Sequence, residues 1–371
     1  MRSLLETLTI TVLAIAASLA LFSLLMFAHK GIGPLELIAA ISEGGFGTKR
    51  SWMNTLAKAA PLLLTALCTA LPARLGLVII GGEGALIAGG LAAAIVGPAL
   101  GSMPFPVPQI AMILSGMLTG ALVIAFAGAL RHFRGVNATI CSLLLTYIML
   151  YLFNYLIEGP LLFSKTSNKF SSAPIPAGAL IGKITGLDVH WGLVYGLIAC
   201  FLAYILMDHT TFGFAARMAG GNVRAAQGAG LPVGRLILIT CLLGGAAAGL
   251  AGVVEVAAVH KQGNSGLYAA GFGYTGILVS FIARHHPLGI IPAAILFGGL
   301  KSSSDELQMS FGLPDASVDV FAGTVFVMIL LSETLYGRIR VFQPPDVTKK
   351  VEPSEDEVST KGEKASVVSA V

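Results

Sequence analysis

LILITCLLGGAAAGLAGVVEVA, residues 236–257, runs for 22 residues with a single charge, Glu255, close to its end. A helix crossing a bilayer needs about 20 apolar residues, because hydrocarbon offers no partner to a bare peptide group and a helix satisfies its own. Gly244, Gly245, Gly249 and Gly252 would weaken a soluble helix, but small side chains let membrane helices approach closely. The stretch therefore reads as a transmembrane helix of a tightly packed bundle.

The rest of the chain repeats the pattern. Segments 5–28, 54–72, 78–97, 109–130, 137–157, 191–208, 272–283, 287–302 and 318–336 bring the total to about ten spans, several of them short or interrupted by glycine and proline. Of 371 residues, 55% are hydrophobic and 11% charged, with a mean hydropathy of +0.84. A soluble domain carries about 25% charged residues. The apolar stretches continue almost unbroken to about residue 336, which leaves no room for a soluble domain. The expected fold class is all-α, a polytopic transmembrane helical bundle over residues 1–340. After Arg340 the composition turns to Pro344, Pro345 and a charged, serine-containing run. Residues 341–371 cannot bury enough apolar surface to order themselves and are expected to form a disordered cytoplasmic tail.

Orientation follows from the arginines. With the N-terminus inside, Arg2, Arg74, Arg131, Arg134, Arg217, Arg224, Arg235, Arg284, Arg338 and Arg340 all fall on inner loops, and only Arg50 falls outside. The positive-inside rule then places both termini in the cytoplasm. The first span reads as an uncleaved anchor, since its apolar run exceeds a usual signal-peptide core and no small-x-small site precedes His29 and Lys30. Cys68, Cys141, Cys200 and Cys241 lie far apart in apolar segments without CxxC spacing, so they read as buried small hydrophobes. The net charge of +4 is scattered, with no basic-aromatic stripe of the kind a nucleic-acid surface needs.

Residues 210–235, TTFGFAARMAGGNVRAAQGAGLPVGR, are too polar to span and too patterned for a mere linker. Thr210 or Thr211 can cap a first helix that Gly220 and Gly221 end. Asn222 caps a second, Val223–Ala229, which stops at Gly230 and Pro232. The result is a short helix lying across the cytoplasmic face, with Arg217 and Arg224 available to a partner's carboxylates. An ordinary inter-helix connection fits the loop taken alone equally well.

Here the sequence resembles a family. RMAGGNVRAAQGAGLPVGR at 217–235 is similar to the cytoplasmic coupling loop of permease subunits of bacterial ABC importers for nucleosides and simple sugars, a branch related to the branched-chain amino-acid permeases. Four further stretches agree in order: LGLVIIGGEGALIAGGLAAAIVG at 75–97, GVNATICSLLLTYIMLYLFNYLIEGPL at 135–161, GGAAAGLAGVVEVAAVH at 244–260 and GYTGILVSFIARHHPLGIIPAAILFGGL at 273–300. One departure is Ile80, where family members often carry asparagine. The resemblance implies a bacterial inner-membrane pore with separate cytoplasmic ABC ATPase subunits, a second permease subunit, homologous or identical, and an extracytoplasmic substrate-binding protein. It implies a coupling role for Arg217, Asn222, Arg224, Ala225, Ala226, Gly228 and Gly230, and nucleosides ahead of sugars as cargo. No cofactor is expected on this chain and ATP-Mg is expected on the partner ATPase, in keeping with the lack of a GxxxxGK[ST] loop.

Polar groups at membrane depth are costly and usually face a cavity or a partner. Glu83 lies among Gly81, Gly82 and Gly84, as at a broken helix whose free amides face the interior. It fits a place on the pathway, a lock that accepts backbone donors across the break, or an interfacial carboxylate near the cytoplasmic surface. On 137–157, which begins at Asn137, Tyr147, Tyr151, Asn154 and Tyr155 recur at spacings of three and four, a face suited to stacking a base or hydrogen-bonding a sugar. Helix packing under an interfacial aromatic belt suits it equally. Tyr274 and Thr275 open a second interrupted segment, split from the next by Arg284, His285, His286 and Pro287, and paired interrupted helices point to a substrate path. The two histidines read as a solvated turn, with no carboxylate near in sequence. Glu255 and His260 close their span near the outer face, where meeting the binding protein, gating the outer mouth or simply marking the water boundary fit equally well. The competing reading is an ion-gradient-driven secondary transporter using Glu83, His285 and His286 as proton carriers. An intramembrane enzyme finds no support, since neither HExxH nor GxSxG occurs.

Overall fold

The computed structural model describes residues 2–163, 170–314 and 316–333. Its helices are α1 (Arg2–Lys30), α2 (Pro34–Ser42), α3 (Lys49–Ala73), α4 (Gly82–Ala99), α5 (Val107–Arg134), α6 (Ala138–Glu158), α7 (Gly192–Asp208), α8 (Thr211–Gly221), α9 (Val223–Gly228), α10 (Val233–Val254), α11 (Gly266–Ala269), α12 (Phe272–Ile282), α13 (Ile290–Ser302), α14 (Ser304–Phe311) and α15 (Ala316–Glu333). Widened π-helical turns extend α2 over Glu43–Gly47 and α10 over Glu255–His260. Two compact units emerge, Leu19–Phe326 and a second of Met1–Ser18 with Val327–Val371. The described residues of the second are helical and belong to α1 and α15; the expected tail, 341–371, lies outside the described residues. The site residues all fall in the first unit.

Each of the ten expected segments contains a helix among the described residues. Among them, six helices are long and apolar enough to cross a membrane, and α7 with α8, bent by 71°, makes a seventh if the pair counts as one span. The two helices α12 and α13, of 11 and 13 residues, reach only about 16–20 Å at 1.5 Å per residue, roughly half a bilayer core. The expected spans 272–283 and 287–302 are thus two half-length helices joined by the Arg284–Pro287 turn. The span expected at 78–97 also starts late: residues 78–80 are not helical, and α4 begins at Gly82.

Glycines set how closely the core helices approach. A Cβ on Gly89 would collide with the backbone of Gly249, one on Gly249 with the carbonyl of Gly116, and one on Gly252 with the carbonyl of Leu86. Helices α4, α5 and α10 therefore meet backbone to backbone, the small-residue packing that works where water supplies no hydrophobic drive. Around this centre α3 carries an unbroken buried run from Ala59 to Pro72, whereas α5 and α6 bury only part of their surface.

Candidate functional site

The chain entering α4 runs non-helically beside the helices, which strands peptide groups that a helix would have paired. Hydroxyls on neighbouring helices supply the partners. Thr69 Oγ1 donates to the Ile79 carbonyl at 3.2 Å, Thr139 Oγ1 to the Val78 carbonyl at 2.7 Å, and the Ile80 amide donates to Ser142 Oγ at 3.1 Å. Ile80 thus engages through its backbone, and its side-chain type does not decide the contact. Thr69, Thr139 and Ser142 carry no sequence signal for this, because a threonine or serine in an apolar helix more often bonds its own preceding turn.

Glu83 sits in the first turn of α4, 1% exposed. Its Oε2 accepts the Gly273 amide at 2.6 Å, and Gly273 lies in the first turn of α12, where amides have no partner within their own helix. The N-terminal ends of α4 and α12, each carrying partial positive charge, therefore converge on one carboxylate. Gly273 makes this possible: a Cβ there would sit 2.7 Å from Glu83 Oε2. Of the readings left open for Glu83, the geometry is that of a lock accepting a backbone donor, and Oε1 is buried with no hydrogen-bond partner. Tyr274 follows Gly273 in the first turn of α12 and is 40% exposed. Thr275 is buried, its hydroxyl donating to the Gly271 carbonyl at 3.0 Å.

The expected face on α6 does not hold together as one lining. Tyr147, Tyr151 and Tyr155 are 49%, 68% and 69% exposed, whereas Asn154 turns inward and accepts the Tyr268 hydroxyl at 3.1 Å. Asn137 caps α6, its Oδ1 accepting the Thr139 amide at 2.9 Å, and stands at the helix start instead of along the span. Glu255 is 3% exposed, buried inside the protein with His260 Nε2 at 3.7 Å. The four cysteines are free and buried, and among the described residues no cluster of His, Cys, Asp and Glu could hold a metal ion.

The 209–235 loop folds as its caps direct. Thr210 Oγ1 accepts the Gly213 amide at 3.3 Å and starts α8; Asn222 Oδ1 accepts the Ala225 amide at 3.1 Å and starts α9. Gly230, at φ +80°, ends α9, with the Leu231 amide returning to the Ala226 carbonyl. One side of this unit is anchored: Ala226 is 1% exposed and packs with Ala215, Ala216, Ala219, Leu75, Leu77 and Val233. Arg224, Ala225, Gly228 and Gly230 face outward. Arg217 is not free for a partner as expected, because its Nη1 is held by Asp208 Oδ1 at 2.9 Å and by the Met207 carbonyl. Nor is the histidine turn far from a carboxylate, since His286 Nε2 lies 3.7 Å from Asp208 Oδ2. His285 Nδ1 shares a 2.8 Å hydrogen bond with Ser280 Oγ; burial, helped by the nearby Arg74 guanidinium, holds its imidazole below the ordinary value. Sequence reasoning missed Asp208 altogether, its neighbours being 134 residues upstream and 78 downstream (208 − 74 and 286 − 208).

Residues 51–330 match the family described as branched-chain amino acid transport system, permease component. The chain is similar to the glucose ABC transporter permease protein TsgB13 of Haloferax volcanii, at 30% identity over 89% of this chain and 88% of the relative. It is also similar to the guanosine ABC transporter permease protein NupP of Bacillus subtilis, at 29% identity over 88% and 94% of the two chains. A third relative, the nucleoside ABC transporter permease protein NupB of Lactococcus lactis, is 27% identical over 96% and 98%.

Proposed function

The chain belongs to the family of permease components of branched-chain amino-acid-type transport systems, and on that premise we propose that it carries nucleosides, or alternatively simple sugars, into the cytoplasm as half of an ATP-driven importer pore. As an ABC transporter permease it forms the membrane passage. In this reading ATP-Mg binds separate ATPase subunits, an extracytoplasmic binding protein delivers the cargo, and a second permease subunit completes the pore. The bilayer is the bacterial inner membrane, with both termini in the cytoplasm. Nucleosides lead because two of the three relatives are named for guanosine or nucleoside transport and one for glucose. A ribonucleoside and a hexose share a ring bearing several hydroxyls, which a polar passage can accept in either form.

The observation that carries the proposal is the docking geometry of α9. Its Asn222 cap fixes where it begins, Ala226 roots it in the apolar body, and Arg224, Ala225 and Gly228 stand outward where another chain can reach them. A helix so anchored moves with whatever grips it, which makes it a lever for energy supplied from outside the chain. On the translocation side we assign Glu83 of α4, Tyr147, Tyr151 and Asn154 of α6, and Tyr274 and Thr275 of α12 to the passage.

The test is uptake into proteoliposomes holding this permease with its ATPase subunits and binding protein, using labelled guanosine and glucose. ATP-dependent uptake of either, lost in the double variant Arg224→Glu with Gly228→Trp while the permease still inserts, is the expected result. Uptake that needs no ATP and collapses with the proton gradient would instead establish a secondary transporter.

A further inference from the structure

Where α7 ends, Asp208 occupies the last turn of a helix, a position at which the partial negative charge of the helix end disfavours a carboxylate. Three cationic or cation-capable groups from three other elements surround it. Arg217 of α8 donates to Oδ1 at 2.9 Å. Arg74, following α3, brings Nη2 to 3.8 Å from Oδ2, and His286, in the turn between α12 and α13, brings Nε2 to 3.7 Å from the same atom. A charge-assisted N–H···O bond closes at about 2.8 Å, so neither contact to Oδ2 is a hydrogen bond. Oδ2 is buried and has no hydrogen-bond partner, and Arg74 Nε is likewise buried and unpartnered. Buried polar atoms are rarely left so. The carboxylate therefore has one oxygen committed to the loop and one short of its donors by about 1 Å.

The element facing that vacant oxygen is equipped to move. Arg284 and His285 lie at φ +50° and +57°, a left-handed conformation costly for side-chain-bearing residues and characteristic of switch regions. His285 is tied down through Ser280, leaving His286 as the half-exposed end of the turn. From this turn α12 runs back as a rigid rod of about 16 Å to Gly273, whose amide is held by Glu83 of α4.

We propose that Asp208 is a positioning residue that transmits displacement of the α8–α9 unit to α12, its free oxygen closing onto His286 when the loop shifts by about 1 Å. The proposal rests on the reading of the 209–235 loop as the docking site of the ATPase. Closing the gap pulls the cytoplasmic end of α12, and the Glu83 bond passes the movement to α4.

The experiment uses the assembled complex in proteoliposomes and reads three quantities: ATPase copurification, ATP hydrolysis, and substrate carried per ATP hydrolysed. Asp208→Asn keeps the shape and an acceptor for Arg217 but loses the charge. We expect ATPase subunits still to copurify, hydrolysis to continue, and the transport-to-hydrolysis ratio to fall about tenfold, with Asp208→Glu restoring part of it. Pairing Asp208→Asn with His286→Gln should cost less than the product of the two single effects, since both remove one link. An unchanged ratio in Asp208→Asn overturns the proposal, as does a full multiplicative effect in the pair. Should Asp208→Asn fail to assemble, His286→Ala, in a half-exposed turn, must lower the ratio by itself, and an unchanged ratio there overturns the proposal equally. Failure of the loop reading looks different: the Arg224→Glu, Gly228→Trp variant would then keep ATPase copurification and stimulation intact.

Discussion

Replacing Glu83 by alanine should cost the protein about 3 kcal/mol of stability. The bond from the Gly273 amide to Oε2, at 2.6 Å, is short and fully buried. A hydrogen bond to a charged carboxylate contributes roughly 1.5–3 kcal/mol, and removing the acceptor alone leaves a buried amide stranded, which pushes the loss toward the upper end. Rotation of another side chain onto the amide is obstructed, because Gly273 approaches the α4 backbone too closely for even a Cβ between them. At about 2.1 cal/mol/K of unfolding entropy per residue, a 371-residue chain shifts by roughly 1.3 °C per kcal/mol, so Glu83→Ala should melt about 4 °C below the parent in detergent. Glu83→Gln retains an acceptor oxygen at the same place and should lose only a fraction of that. The assay is thermal unfolding followed by tryptophan fluorescence or by retention of the monodisperse peak on size exclusion. If Glu83→Ala melts within about 1 °C of the parent, or below it by no more than Glu83→Gln, the two half-helix ends are not held by this carboxylate.

Other consequences follow from the packing and the turn. Gly249→Val should destabilise the bundle by at least the roughly 1–3 kcal/mol typical of overpacking, because its Cβ would meet the Gly116 carbonyl, while Gly178→Ala, where a Cβ meets nothing within 4 Å, should melt with the parent. Burial depresses the imidazoles of His285 and His190. A group with a depressed folded pKa contributes stability that is present above its unfolded value, about 6.5 for histidine, and lost as pH falls through the folded value. The melting temperature should thus drop on acidification below about pH 6.5, and His285→Gln should shallow that drop; a drop of the same size in the variant would rule His285 out as a contributor.

Much of this protein was legible without coordinates. Every expected apolar segment contains a helix among the described residues, and the Thr210 and Asn222 caps act where a short side-chain oxygen three residues before a free amide must act. Local rules suffice there, since a cap and its helix are neighbours in the chain. The break before Glu83 was visible too, because three glycines flank a carboxylate inside an apolar run. Reading failed where a side chain had two equally good choices. Spacing puts Tyr147, Tyr151, Asn154 and Tyr155 on one arc of α6, but whether Asn154 turns toward Tyr268 depends on a helix more than a hundred residues away. Arg217 looked free for a partner until Asp208, nine residues back, was found to hold it across a 71° bend that no local pattern announces.

The sequence alone determined the solvent, the secondary structure and the kind of machine, since a run of apolar residues has one answer in hydrocarbon and the motifs of a permease loop recur in order. Only the tertiary structure decided which polar groups meet. That Glu83 reaches Gly273, that hydroxyls of α3 and α6 satisfy the extended segment before α4, and that Asp208 gathers Arg74 and His286 as well as Arg217 are pairings set by the tertiary structure. Each follows from how closely glycine lets the helices approach, because a buried donor takes the nearest acceptor in space, whatever its distance along the chain.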